Sequence, residues 1–332
     1  MPALLDWLHS PFAGTPVWIW LMFLTVVVAL LAFDLGVLHK DDEHEIGVRE
    51  SLALSAGYIG MATLFGGWVW WYLGAQPGME YFTGFLIEKS LSMDNVFVIA
   101  MIFGALAIPR AYQHRVLFWG ILGVIVLRAL MIGLGAALIH QFSWIMYVFG
   151  AFLVLTGLKM WFAADHTPDI ANNRLLQFLR RHLRVTPTLH GKAFFVHQPD
   201  PATGRSVRWV TPLFLALLMV ELVDLVFAVD SVPAIFAITD DPFIVYTSNI
   251  FAILGLRALY FALAAMIHRF AYLKYALAAV LVFIGGKIFS VGLIGKTPAW
   301  ISLGVTFGLI AAGVAVSLWK TRHTAPAILA KS

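Results

Sequence analysis

Long apolar runs separated by short polar segments make up almost the whole chain. A run of about 20 apolar residues is long enough to cross a bilayer as a helix. About nine such runs occur, at 17–37, 51–74, 81–106, 116–139, 143–163, 210–238, 243–266, 271–294 and 299–319. The pattern predicts an all-α fold, a polytopic membrane helical bundle of about nine transmembrane helices that forms a single domain over residues 1–332.

Two of the apolar runs contain polar side chains at a depth where hydrocarbon is expected. One polar segment extends from Glu88 to Val98 and the other from Glu221 to Ser231. Ionisable groups at the bilayer centre cost at least about 2.5 kcal/mol each on insertion scales, and they usually face a bundle interior or a water-filled cavity. Their oxygen atoms are ligands of the kind that Mg, Ca and Mn prefer. The candidate metal-binding residues are Glu88, Asp94, Asn95, Glu221, Asp224 and Asp230.

In a regular helix, the spacing of the acidic residues would not direct all of them to one site. Asp94 follows Glu88 by six positions, and Asp230 follows Asp224 by the same interval. Six residues turn a helix by about 240°, so the two carboxylates of each pair point in different directions. Pro233 cannot donate to the carbonyl four residues earlier, and we expect a kink or an unwound turn there. Such a break would free backbone oxygen for a cation and let Asp230 turn inward.

An internal repeat becomes visible when the polar segment 164–209 is set aside. Matches at offsets of 128 to 136 residues pair Glu88 with Asp224, Asp94 with Asp230, and the Leu-Arg-Ala-Leu of 127–130 with that of 256–259. Each copy holds three spans, so the second copy crosses the bilayer in the opposite orientation. We predict an inverted three-plus-three repeat, with repeat one at 80–163 and repeat two at 210–294, whose acidic segments meet near the bilayer midplane.

Composition agrees with a membrane protein and removes some chemistries. Hydrophobic residues make up 61% of the chain and charged residues 12%, with a mean hydropathy of +0.87. Soluble domains carry roughly 25% charged residues. The chain has no cysteine, which excludes disulfides, thiolate metal sites and dithiol redox chemistry of its own. We expect no prosthetic group, no enzymatic activity and no nucleic-acid partner; the expected partners are the lipid bilayer and a divalent metal ion.

The loop cations divide unevenly between the two sides of the predicted bundle. One side holds sixteen Lys and Arg residues, and the other, which includes the N-terminus, holds only Lys296. The sixteen are Lys40, Arg49, Arg110, Arg115, Arg174, Arg180, Arg181, Arg184, Lys192, Arg205, Arg208, Arg269, Lys274, Lys320, Arg322 and Lys331. The positive-inside rule then predicts an external N-terminus and a cytoplasmic C-terminus. The first 15 residues contain no Lys or Arg, so we expect the first span to be retained rather than cleaved as a signal peptide.

The cytoplasmic basic loop, 164–209, is the only long polar connection. Residues 173–184 form a basic run with apolar residues at helical spacing, which is typical of a helix lying on anionic lipid headgroups. Docking onto a membrane-protein partner is the alternative role for this run. Residues 192–209 predict a short β-hairpin because two runs of strand-forming residues flank a Pro-Asp-Pro-Ala-Thr-Gly turn.

Further polar residues lie within or near the ends of the spans. We interpret the basic ones as partners in buried ion pairs that hold helices together, and we expect their replacement to act mainly through folding. They are Lys89, Arg128, Lys159, Arg257 and Lys287. Asp34 is interpreted as a structural residue at a span end. Ser90, Ser92, Ser231 and Asn249 are candidates for the polar lining of the site.

The two acidic segments resemble the motifs of a known family. Glu88-Lys-Ser-Leu-Ser-Met-Asp-Asn-Val-Phe-Val, the segment from Glu221 to Ala237, and Thr247-Ser-Asn-Ile-Phe-Ala-Ile-Leu-Gly-Leu-Arg-Ala-Leu look like the TerC family of bacterial integral membrane proteins, and most like its Alx branch. The resemblance covers nearly the whole chain. It implies a bacterial inner-membrane protein connected by family name with tellurium resistance and by function with manganese efflux, whose acidic motif residues coincide with the six candidate metal-binding residues.

Three functions fit these observations. The first is a manganese exporter that works by alternating access and is coupled to protons, because a carboxylate that binds a cation releases it when protonated. The second is an accessory protein that docks through 164–209 onto secretion or metal-loading machinery. The third is an intramembrane hydrolase, which needs two aspartates about 3 Å apart that share a proton. The sequence singles out no such pair, and we therefore favour the exporter.

The division of loop cations gives a testable topology. Reporter fusions placed after Lys320 and within 164–209 should both report a cytoplasmic location. A fusion in the short connection near 239–242 should report the opposite side and serves as the control. A periplasmic signal from either of the first two fusions would contradict both the topology and the inverted repeat.

Overall fold

A computed structural model describes residues 2–38, 48–142, 144–162, 174–199, 204–266, 272–294 and 297–321. Within these ranges, the side chains of four residues considered above lie outside the described part, namely Asp34, Asp94, Arg174 and Arg257. The loop cations Lys40, Arg269, Lys296, Arg322 and Lys331 also lie outside the described residues.

The described chain is almost entirely helical. Its helices are α1 (Pro2–His9), α2 (Val17–Leu38), α3 (Val48–Leu73), α4 (Ala75–Ala105), α5 (Arg110–Gln141), α6 (Ile145–Phe162), α7 (Arg174–His182), α8 (Pro212–Phe236), α9 (Pro242–Leu254), α10 (Leu256–Met266), α11 (Leu273–Ile294) and α12 (Ala299–Lys320). Two antiparallel hairpins complete it, β1 (Pro11–Phe12) with β2 (Thr15–Pro16) and β3 (Phe195–Pro199) with β4 (Ser206–Val210). The prediction of an all-α polytopic membrane protein is confirmed.

Each predicted span overlaps at least one described helix, but the count of nine stays a prediction. Six helices among the described residues are long and apolar enough to cross a membrane, namely α3, α5, α6, α8, α11 and α12. Shorter apolar stretches occur at Val17–Phe33 and Pro242–Leu254. Helix α4 has 31 residues but carries charged side chains in its interior, and the span predicted at 243–266 is divided into α9 and α10 at Gly255.

The start of α8 and the start of α9 follow the same local rule. Thr211 precedes Pro212, and its hydroxyl accepts a hydrogen bond from the amide of Phe214. Asp241 precedes Pro242, and its carboxylate accepts from the amide of Phe243 at 2.8 Å. Proline suits the first helical position because its missing N–H would have no partner there. These caps therefore set the first residues of α8, which carries the second acidic segment, and of α9, which follows it in the chain.

Four helices form the centre of the bundle. Helix α4 packs against α8 and α9, and α5 packs against the same two helices. Helices α6 and α11 pack tightly on each other at one side, while α3 contacts α4 and α10, and α12 contacts α11 and α4. The two predicted acidic segments, on α4 and α8, are therefore brought face to face inside the bundle.

The contact between α6 and α11 is made by glycines whose pattern is reciprocal. A Cβ atom on Gly285 would lie 2.6 Å from the carbonyl oxygen of Gly150, and one on Gly157 would lie 2.8 Å from that of Ala278. At the repeat offset of 128 residues, Gly150 corresponds to Ala278 and Gly157 to Gly285. Replacing each of these residues by its repeat equivalent therefore turns one contact into the other. Because the earlier residue of α6 contacts the later residue of α11, the two helices are antiparallel. A two-fold axis perpendicular to both helices would produce this pattern, although the inverted repeat itself stays a prediction.

The basic loop is built into the bundle more closely than its sequence suggests. The helix and the hairpin expected there are both present, as α7 and as β3–β4, while the turn at 200–203 lies outside the described residues. Leu176 and Leu179 of α7 are buried in the cluster that includes Phe103, Leu117 and Leu213. The expectation that the apolar face of this helix lies in lipid headgroups is therefore wrong, because that face covers the ends of α4, α5 and α8.

The glycine contact predicts an unequal response of two adjacent residues. Gly285→Val should lower the thermal unfolding temperature of the purified protein by several degrees, since overpacking costs about 1–3 kcal/mol and the obstructing atom is backbone. Gly286→Val is the matched control, because a Cβ there meets nothing within 4 Å. Equal effects of the two substitutions would contradict the described packing of α6 and α11.

Candidate functional site

Four helices contribute polar side chains to one buried cluster. Glu88 comes from α4, Arg128 from α5, Asp224 from α8 and Asn249 from α9. All four are buried, with exposed fractions of 0% for Arg128 and 7% for Asp224. The apolar residues around them on each helix keep these helices packed, so the four polar side chains must find their partners within the protein interior.

Arg128 lies at the centre of the cluster. Its guanidinium Nη1 is 2.9 Å from Oε1 of Glu88 and donates to the hydroxyl of Ser231 at 2.8 Å. Its Nε and Nη2 donate to the two carboxylate oxygens of Asp224, each at 3.4 Å. One guanidinium therefore joins the acidic segment of α4 to that of α8. Pairing and hydrogen bonding of this kind are what make a buried charge tolerable.

Amide and hydroxyl groups also donate hydrogen bonds to the carboxylates of Glu88 and Asp224. Asn249 donates to Oε2 of Glu88 at 3.0 Å, and Asn95 donates to Oδ1 of Asp224 at 3.4 Å. Ser92 lies one helical turn from Glu88 on α4, and its hydroxyl donates to Oε1 of Glu88 at 3.5 Å. The expectation that polar neighbours line the site is confirmed for Ser92, Ser231 and Asn249.

Several oxygen atoms at or beside the cluster are buried without a hydrogen-bond partner among the described residues. They are Oδ1 of Asn95, Oδ1 of Asn249 and Oε2 of Glu221. A buried oxygen without a donor costs about 1–3 kcal/mol. Hard oxygen atoms of this type are ligands for Mg, Ca and Mn. The cluster therefore offers oxygen atoms that could serve as ligands for a cation.

A small cavity adjoins the cluster. Its volume is about 30 Å³, room for no more than a few water molecules, and its lining runs from Asn95 and Asp224 to Tyr260. At the far end, the Tyr260 hydroxyl donates to Gln113, whose side chain in turn donates to the carbonyl of Ile108. Ile108 lies in the α4–α5 connection, on the predicted cytoplasmic side. The cavity therefore extends from the carboxylate of Asp224 toward that side.

The remaining candidate ligands have different positions. Asp230 is half-buried and accepts a hydrogen bond from Thr156 of α6 at 3.4 Å, away from the cluster. Helix α8 continues through Pro233 to Phe236, so the unwound turn expected to bring Asp230 inward is absent from this described helix. Glu221 lies one turn before Asp224, with its carboxylate where a side chain on Gly123 would be. Asp94 is on α4, and its side chain lies outside the described part.

Lys89 is directed away from the carboxylates, although it follows Glu88 in the chain. It is buried, and its ammonium donates to the carbonyl oxygen of Ala252 at 3.1 Å. Ala252 belongs to the last turn of α9, which ends just before Gly255. Cations are favoured near the C-terminal carbonyls of a helix. Lys89 thus stabilises the division between α9 and α10 rather than the acidic cluster.

The cluster is not organised as a metal centre in the described conformation. Among the residues that the structure describes, no three Asp, Glu or His side chains lie in an arrangement suited to a metal ion. The physical reason is that the guanidinium of Arg128 lies between the carboxylates of Glu88 and Asp224. The expectation that Arg128 forms buried ion pairs is confirmed, but its partners are two of the candidate metal-binding residues, so Arg128 itself belongs to the site. The signal was present, since Arg128 and Arg257 are related by the same repeat as the acids.

Comparison with known proteins identifies the family of the chain. The model of the family described as "Integral membrane protein TerC family" matches residues 73–325, which include every helix of the cluster. The chain belongs to the TerC family. No solved structure matches it significantly.

Relatives in this family cover nearly the full length of the chain. A membrane protein of Rickettsia bellii is 50% identical over 299 residues, covering 90% of this chain and 96% of the relative. One from Myxococcus xanthus is 48% identical over 313 residues, covering 94% of this chain and 95% of its own. A third, from Escherichia coli K12, carries the name "Putative membrane-bound redox modulator Alx" and is 46% identical over 319 residues, covering 93% and 97%.

The network predicts a large difference between two conservative substitutions on α4. Glu88→Gln should lower the free energy of unfolding by about 3 kcal/mol, because it leaves Arg128 with a single carboxylate partner in a buried position. Glu80→Gln is the control, since Glu80 accepts an exposed hydrogen bond from Gln76 and its charge interacts with that of Lys287 outside the cluster; its loss should change stability by about 1 kcal/mol or less. Thermal unfolding of the purified variants measures both. Equal stability of the two variants would contradict the Arg128 bridge.

Proposed function

We propose that this TerC-family protein exports a divalent metal ion, manganese, across the bacterial inner membrane by using carboxylates within the bilayer. The observation that carries the proposal is the buried cluster in which Glu88 and Asp224 face each other from two acidic helices. Such ionisable residues inside a membrane bundle mark ion pathways because their insertion is costly. Manganese, rather than another hard cation, follows from the resemblance of the acidic segments to the family's motifs.

The charges and donors of the cluster favour a cation. Two carboxylates and one guanidinium leave one net negative charge among these described groups, and the amide oxygens of Asn95 and Asn249 have no donor. Carboxylates together with carbonyl oxygens are the ligands that divalent hard cations take. The small cavity beside Asp224 is also lined by Tyr260, whose hydroxyl is hydrogen-bonded to Gln113 near the start of α5. Export from the cytoplasmic side is the direction that the family resemblance implies.

An inverted repeat would give this site its alternating access. The reciprocal contacts of Gly150 and Gly157 on α6 with α11 support a pseudo-two-fold axis in the membrane plane. In such an arrangement the ion binds where the repeats meet, and one repeat rocks against the other. The predicted external N-terminus and cytoplasmic C-terminus belong to the same proposal. Glu221, Asp94 and Asp230 would join the ion in other states of the cycle.

The competing functions receive less support. Docking through 164–209 uses a segment whose apolar side chains Leu176 and Leu179 are already buried in the bundle. The hydrolase hypothesis needs two neighbouring aspartates, whereas Arg128 separates the two described carboxylates of the cluster. The name of the Escherichia coli relative refers to redox modulation. This chain has no cysteine, so a redox role of its own could not use thiol exchange.

Flux measurements on proteoliposomes test the proposal. The wild-type protein should move Mn²⁺, and Asp224→Asn or Asp94→Asn should lower the initial rate at least about tenfold, because loss of a charge removes more than about 1.4 kcal/mol of ion binding in a low-dielectric site. Glu80→Gln should retain the wild-type rate. Binding should also weaken as pH falls, since protons compete for the carboxylates. A wild-type protein that moves no Mn²⁺, or an Asp224→Asn variant with full flux, would contradict the proposal.

A further inference from the structure

The position of Arg128 is the position that a bound cation would need. Its guanidinium contacts Glu88 of α4 at 2.9 Å and Asp224 of α8 at 3.4 Å, and it is the only cation that the described part of the chain brings to these two carboxylates. A divalent ion bridging the same two carboxylates would require the space between them. The guanidinium and such an ion therefore cannot both occupy it.

The charge of Arg128 is permanent, which distinguishes it from other groups that could balance the carboxylates. A guanidinium is not deprotonated in proteins, and its planar fork suits carboxylate oxygens. Without a cation between them, two carboxylates in a water-poor interior repel each other and lose their solvation. Arg128 removes this cost when no metal is bound, and it does so without requiring a proton.

The side chain also has an anchor that does not depend on the carboxylates. Nη1 of Arg128 donates to the hydroxyl of Ser231 at 2.8 Å, the shortest contact that this guanidinium makes. Ser231 lies two turns after Asp224 on α8. A guanidinium that left both carboxylates could keep this hydroxyl as a partner, so displacement by an ion need not leave the arginine without any hydrogen bond.

We propose that Arg128 is a tethered counter-cation that competes with the transported divalent ion for Glu88 and Asp224. This inference rests on the function proposed above and describes how that site is regulated. In the metal-free state the arginine bridges the two acidic helices, and the entering ion displaces it. When the ion leaves, the arginine returns and lets the empty protein reorient without unbalanced carboxylates. The arginine is a positioning residue that makes net transport possible.

Two modes of flux separate this role from a purely structural one. Arg128→Gln removes the charged competitor and leaves a shorter, neutral polar side chain. It should bind Mn²⁺ at least about tenfold more tightly than the wild type in equilibrium dialysis of the purified protein in nanodiscs. Exchange of radioactive Mn²⁺ outside the vesicle for Mn²⁺ inside should continue, because the loaded form does not need the arginine. Net flux into metal-free vesicles should fall at least about tenfold, because the empty form cannot return.

Two further variants keep the test decisive. Lys287→Gln is the control, since Lys287 is a partly buried cation that donates to Ser302, away from the carboxylates; its Mn²⁺ affinity should equal that of the wild type. Arg128→Lys keeps the charge but offers no planar fork to bridge two carboxylates. It should therefore show a smaller rise in affinity and partial net flux. This variant decides the matter if Arg128→Gln does not fold.

The outcomes are distinct from those of the flux experiment above. A folded Arg128→Gln, or Arg128→Lys in its place, that binds Mn²⁺ no more tightly than the wild type would overturn the competition. If a folded variant that binds Mn²⁺ lost both exchange and net flux, the proposed role of Arg128 in the return of the empty protein would be overturned. If the wild type itself neither binds nor moves Mn²⁺, the proposed function fails, whatever the variants do.

Discussion

The arrangement of the bundle depends on one electrostatic constraint, the cost of carboxylates inside hydrocarbon. Glu88 and Asp224 lie in apolar helices that pack in the same interior, and both side chains are buried. Their negative charge is offset by one guanidinium and distributed over the hydrogen bonds of Asn95, Asn249 and Ser92. Removal of one member of such a network leaves another buried charge without compensation. The register of α4, α5, α8 and α9 is therefore fixed by polar contacts as much as by packing.

Two features on opposite sides of this network make movement feasible without dismantling it. Helix α9 ends at Leu254 and α10 begins at Leu256, with the ammonium of Lys89 on the terminal carbonyls of α9. On the other side, α6 and α11 approach closely through glycines, so one surface can shift along the other with few side chains in between. Rigid helices joined at such positions can move as units, as shear and hinge motions require.

The polar segments could be predicted well from the sequence, because charged residues are rare in apolar runs and are easily recognised there. The structure brings Glu88, Asp224, Asn95, Ser92 and Ser231 together on the helices where the sequence predicted polar segments, while their role as metal ligands stays a prediction. The sequence led to the expectation that Arg128 forms buried ion pairs, and the structure confirms this. The sequence does not show that the partners are two of the candidate metal-binding carboxylates, because that depends on the rotation of three helices about their axes. The direction of Asp230 was missed for a related reason. Helix α8 accommodates Pro233 without unwinding, so Asp230 keeps its helical phase and meets Thr156 instead of the cluster.

The burial of α7 has a consequence for how this protein can be dissected. Its Leu176 and Leu179 complete an apolar cluster at the ends of three central helices, close to the residues that line the cavity of Asp224. A truncated protein without this segment would expose apolar surface at the ends of these helices, so a lost activity would report damage to the helical bundle rather than a lost binding partner. Separate roles for the segment are better sought in its exposed side chains, Phe178, Arg180 and Arg181, which can be exchanged without uncovering the interior.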